Sequence, residues 1–169
     1  MIKFLLKSKV ALLCFLFIMC TTSNVIYHSF QSINPKGWEK QDTIHFSIPI
    51  ETEEQLLLEI EIRHITDYKY KELKLALTHN LMDSTTTKTD SLSITLANDE
   101  GRWKGIGIGS IFQIKDTLCI TNRTFPGNYK IDISHLMQKE SIPGIHDIGV
   151  RITTLQSPVS RSINSQKDK

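Results

Sequence analysis

The side chains that could support acid–base or metal chemistry are scattered along this sequence. Asp67, Asp99, Glu100 and Asp147 could supply the paired carboxylates that glycoside hydrolysis needs. The six histidines are His28, His45, His64, His79, His135 and His146. None falls into an HxH, HExxH or HxxxH pair, and there is no CxxC, so no metal-ligand spacing is present; His64 with Asp67 would have to meet in space. No GxSxG elbow marks a nucleophilic serine. Cys119 sits in the apolar alternation TLCIT, where a buried structural thiol is expected; a reactive thiolate needs a cationic, exposed setting. The expectation is therefore no catalytic residue, no metal and no cofactor, with carboxylates in turns and histidines either solvated or structural.

The least ordinary stretch is DEGRWKGIGIG, residues 99–109. Gly101, Gly105, Gly107 and Gly109 surround Trp103, which Arg102 and Lys104 flank. Glycine permits close backbone approach, and tryptophan offers a large rigid contact surface. This is not a phosphate loop, because no βαβ unit frames it. On a strand, Gly105, Gly107 and Gly109 would share one flat face. An aromatic ring of the same molecule is expected to cover that face; an exposed surface for a partner or ligand is the alternative. Trp38, Arg102 and Trp103 are the candidate contact residues, and the two tryptophans could together form a platform for sugar or peptide. Whether Trp103 points inward or outward is left open by the sequence.

The elements that must position these residues are strands. Ile44, Phe46, Ile48 and Ile50 alternate with Thr43, His45, Ser47 and Pro49. Pro49 lacks an N–H for a ladder and indicates an edge strand or a strand end. The same period of 2 recurs at 56–65, 72–81, 89–96 and 145–154, and over Tyr129, Ile131 and Ile133. Two short strands are expected at 110–115 and 117–121, and one short helix over 134–140 with Ser134 as its N-cap. Half-buried alternation with turns between implies an all-β fold. The expected fold is a single antiparallel β-sandwich, jelly-roll-like, of about eight strands.

Residues 1–19 read as an export signal. Lys3, Lys7 and Lys9 precede the apolar run VALLCFLFIM, ten residues long. That is short of the roughly 20 that a spanning helix needs. Cys20 closes the run, where a lipoprotein signal places its acylated cysteine, although Met19 stands where a small residue is usual. The expected organisation is a lipoprotein-type signal peptide at 1–19, a linker at 20–34, the β-domain at 35–155 and a polar tail at 156–169. Of 20 basic residues, three lie in the leader, leaving 17 against 18 acidic ones. No basic excess remains to recruit nucleic acid.

Four stretches carry a family resemblance: PKGWEKQDTIHFSIPI, LEIEIRHITDYKYKELKLAL, DEGRWKGIGIGSIFQ and FPGNYKIDISHLMQKESIPGIHDIGVRI. In these the chain resembles the gliding motility lipoproteins of the GldH family. The resemblance implies a non-enzymatic lipoprotein of a Gram-negative cell envelope. It would be membrane-anchored through a lipid on Cys20, on the periplasmic or outer-membrane side. It would be an accessory or scaffold among other envelope proteins of a gliding or type IX secretion apparatus. A glycan- or peptide-binding envelope lipoprotein is the alternative. Asp-Ser or Asp-Thr followed by an aliphatic residue or Thr also resembles the O-glycosylation sequon of exported proteins in those bacteria. It marks Thr43, Ser84, Ser91 and Thr117.

Overall fold

The computed structural model describes residues 24–83 and 85–155. The expected export signal, Cys20, Ser84 and the expected tail at 156–169 lie outside the described residues. In chain order the strands are β1 (Val25–Ser32), β2 (Trp38–Glu39), β3 (Ile44–Ile50), β4 (Glu54–Ile65), β5 (Glu72–Asp83), β6 (Thr86–Thr95), β7 (Ile106–Ile108), β8 (Ile111–Thr124), β9 (Gly127–His135), β10 (Ser141–Ile142) and β11 (Ile145–Thr154). One sheet has the order β1-β11-β4-β8-β7 and the other β3-β9-β5-β6, while β2 and β10 form a small ribbon. Every named pairing is antiparallel.

Leaving aside the short β2, β7 and β10, eight principal strands remain. Every connection between consecutive ones crosses from sheet to sheet except the β5–β6 hairpin. This is jelly-roll connectivity, as expected. The alternation explains why. Leu56, Leu58, Ile60 and Ile62 of β4 and Ile148, Val150 and Ile152 of β11 point inward and are buried. Facing them are Phe46, Ile48 and Ile50, Leu73, Leu75 and Leu77, and Tyr129, Ile131 and Ile133. Neither sheet can hide its apolar face alone, so each covers the other's. Pro49 lies in β3, an edge strand, where its missing N–H costs no ladder bond.

The structure departs from the expected elements in three places. Residues 25–32 are not linker but β1, paired along β11 with Tyr27 packed on the core. The expected pair of strands at 110–121 is one continuous strand, because the twelve-residue β4 supplies partners along its length. The expected helix at 134–140 is absent. The inward alternation of Tyr129, Ile131 and Ile133 continues to His135, which is 1% exposed, and Leu136 N donates to Lys74 O at 2.7 Å. A helix of seven residues would have to give up that burial, and isolated short helices are marginal.

Candidate functional site

The glycine–tryptophan stretch forms a turn followed by the first strand of a hairpin. Asn98 closes the turn: its N–H donates to Arg102 O at 2.9 Å, and its Oδ1 accepts from Arg102 N at 2.8 Å. Gly101, at φ +79°, takes the left-handed conformation inside it. Trp103 then bridges to Ala97, and Lys104 N donates to Leu96 O at 2.8 Å. The Trp103 indole turns inward and is half-buried. Its ring centre lies 4.5 Å from that of His64 and 6.3 Å from that of Phe112. Arg102 stays exposed.

The three alternating glycines do not line one strand face. Only Gly107 lies in β7; Gly105 and Gly109 sit at φ +83° and +63° at its two ends. A Cβ on Gly105 would stand 2.1 Å from Gln113 O, so that position admits β8 closely only as glycine. The Phe112 ring covers Gly107, where a Cβ would meet it at 2.8 Å. The flat face is thus filled from within the molecule by an aromatic neighbour. What remains for a partner is the opposite side of β7. Ile106 and Ile108 are 76% and 82% exposed there, at the open edge of the five-stranded sheet. With Ile111 they form one wall of a groove of about 300 Å³, whose other wall includes Arg63 and Asp147.

Beside the groove, the outer face of the same sheet carries a polar network. Arg63 Nε donates to Gln113 Oε1 at 2.9 Å, and Gln113 Nε2 donates to Glu61 Oε2 at 2.7 Å. Glu61 is almost fully buried and also faces His28 at 3.2 Å and Arg151 at 3.8 Å. Lys115 Nζ donates to Glu59 Oε1 at 2.8 Å. The Arg63 guanidinium lies 3.7 Å from the Phe30 ring centre, a cation–π contact, and 3.5 Å from the Asp147 carboxylate. Burial by itself would raise the Asp147 carboxyl. Hydrogen bonds with Ser32 and His146, with the charges of His146 and Arg63, outweigh it and hold the group below its usual range.

The expected contact set is divided by the fold. Trp38 is 1% exposed, its Nε1 donates to Asp42 O at 3.0 Å and its ring meets His135 edge-on. Burial removes Trp38 from any surface a ligand could reach, and the two-tryptophan platform does not form. The carboxylates are likewise dispersed. Asp99 pairs with Lys71, Glu100 accepts from Asn98 Nδ2, and Asp147 belongs to the Arg63 network. His64 is buried while Asp67 is exposed. Among the described residues no three His, Cys, Asp or Glu side chains are arranged to hold a metal ion. Thr43, Ser91 and Thr117 are exposed. Cys119 stands opposite Leu57 in the β4–β8 register, and its side chain lies outside the described part. Sequence reasoning did not single out Ile106 and Ile108 as the exposed pair. The signal for them was the IGI alternation itself, which leaves two large side chains on one face of a short strand.

A model of the GldH lipoprotein family matches residues 25–152. The chain belongs to the GldH lipoprotein family. The match opens on the first residue of β1 and ends within β11, so it takes in the sandwich from its first strand to its last. The chain is 30% identical over 147 residues to a gliding motility lipoprotein GldH homolog of Christiangramia forsetii, covering 81% of this chain and 88% of that one. It is 24% identical over 154 residues to the gliding motility lipoprotein GldH of Flavobacterium johnsoniae, covering 86% and 95%. Among solved structures it is similar to the Eiger TNF of S. frugiperda, with a TM-score of 0.41 and 7% identity over 85% of this chain and 98% of that one. Likeness at that level carries no functional argument. The GldH match agrees with the resemblance carried by the four stretches quoted above.

Proposed function

We propose that this GldH-family chain is a non-enzymatic envelope lipoprotein, acylated at Cys20, on the periplasmic or outer-membrane side. It serves as an accessory or scaffold component of a gliding or type IX secretion-associated complex. The observation that carries the reading is the family match from Val25 to Ile152. The exposed Ile106 and Ile108 support it, since paired large apolar side chains on an open sheet edge suit another protein better than water. Exposed Arg102 lies in the turn that leads into the same hairpin. Thr43, Ser84, Ser91 and Thr117 are proposed as O-glycosylation sites.

The test is genetic. Deleting the gene should impair surface spreading or secretion of cargo, and normal results in both would remove this reading. A double variant, I106K/I108K, should accumulate normally in the membrane fraction yet reproduce the deletion. Mass spectrometry of the purified protein would show whether the mature chain begins at an acylated Cys20 and which hydroxyls carry glycan.

A further inference from the structure

Among the described residues, the exposed large hydrophobic side chains fall at the two ends of the sandwich. Ile106, Ile108 and Leu136 lie toward one end, and Ile26, Phe125 and Leu155, at 41%, 63% and 38% exposure, lie at the other. Backbone pairing fixes the second group together. Thr154 N donates to Asn24 O and Leu155 N to Gln55 O, both at 2.8 Å. Glu54 pairs with Thr124, directly before Phe125. In the sheet order β1-β11-β4-β8, the three side chains therefore lie along one sheet end, across about 15 Å at ~4.8 Å per strand.

That end is also where the chain enters the domain. Cys20 precedes Asn24 by only four residues, a length that spans at most about 14 Å. A lipid on Cys20 would hold this end against the bilayer. We propose that the sandwich seats end-on upon a lipid surface, with Ile26, Phe125 and Leu155 entering the headgroup layer. The inference rests on Cys20 being the lipid-bearing residue. A short tether keeps the apolar rim at high local concentration beside the membrane, so three side chains suffice where they would not recruit a free domain. The twelve residues of β4 place the β7–β8 turn roughly 35 Å from this rim, at ~3.3 Å per residue. End-on seating thus directs the Ile106–Ile108 edge away from the membrane.

The test uses the full-length lipidated protein in vesicles of phosphatidylethanolamine and phosphatidylcholine that contain a shallow nitroxide-labelled lipid. The native indoles, Trp38 opposite Ile142 and Trp103 beside His64, both lie toward the far end. F125W should lose the emission of its added indole, while wild type and I106W keep theirs. Protein that floats with the vesicles but leaves F125W unquenched, or quenches I106W equally, overturns the seating while lipid anchoring stands. Protein that does not float with the vesicles overturns the anchoring reading and the seating with it.

Discussion

His64 shows how a side chain with chemical potential can be given wholly to the core. Its parity with Leu56 through Ile62 points it inward, and it is fully buried. Nδ1–H donates to Ile65 O at 3.1 Å, whereas Nε2 has no hydrogen-bond partner among the rings of Tyr68, Trp103 and Phe112. Charging that ring would bury an unpaired cation, so burial lowers its pKa, with the Ile65 carbonyl partly opposing. His135 is lowered for the same first reason. The sign follows from the unfolded chain binding protons more readily than the folded one. Stability is complete above about pH 6.5 and falls as pH drops below it, by at most ~1.4 kcal/mol per pH unit for each histidine. In His64→Phe the loss between pH 7 and pH 5 should shrink by one histidine's share, read from urea midpoints at the two pH values. Asp147, held low by Ser32, His146 and Arg63, has the same sign but acts in the lower range where carboxylates titrate. The sequence already placed His64 on the inward face; that aromatic rings would enclose it needed Trp103 and Phe112 to arrive from other strands.

At the scale of the element, the β7–β8 hairpin separates two uses of glycine. Gly105 combines φ +83° with a Cβ position 2.1 Å from the Gln113 carbonyl oxygen, whereas Gly109, at φ +63°, opens onto free space. Gly109→Ala should cost only the left-handed backbone penalty, about 1–2 kcal/mol. Gly105→Ala adds a backbone clash and should cost more than Gly109→Ala by at least about 1 kcal/mol, with chemical denaturation as the measure. The alternating pattern made β7 legible. It did not reveal that two of its glycines are turn residues, because period-2 spacing is the same for a strand position and for a turn at its end. The helix expected at 134–140 failed for a related reason: Ser134 suits an N-cap, but the strand's inward alternation ran two residues further, to a buried His135.

At the scale of the whole molecule, β1 ties the entry of the chain into the five-stranded sheet. It pairs with β11 from Val25 to Ser32 and lays Tyr27 on the core. Removing residues 24–32 should lower stability by more than about 2 kcal/mol, the scale of one large buried side chain, as measured by urea unfolding. A detachable linker would show no such loss. The register also makes the start of β1 a structural end of the sandwich, opposite the β7–β8 turn. The proposed anchoring and the proposed partner edge are thereby separated along one axis.

The sequence by itself determined the fold class, the inward faces of the long strands and the polar linings of their outer faces. Those follow from side-chain alternation, a local property of the pleated backbone that needs no knowledge of partners. Only the tertiary structure decided that β1, β6 and β7 became edges, that Trp38 is core and Trp103 half-buried, and which polar side chains meet. Glu61 and Gln113 are 52 residues apart in sequence, and Ser32 and Asp147 are 115 apart. Such contacts depend on sheet order and register, which arise from the joint burial of two apolar faces rather than from any one segment. The same long-range pairing brought Ile26, Phe125 and Leu155 to one end and left Ile106 and Ile108 at an open edge.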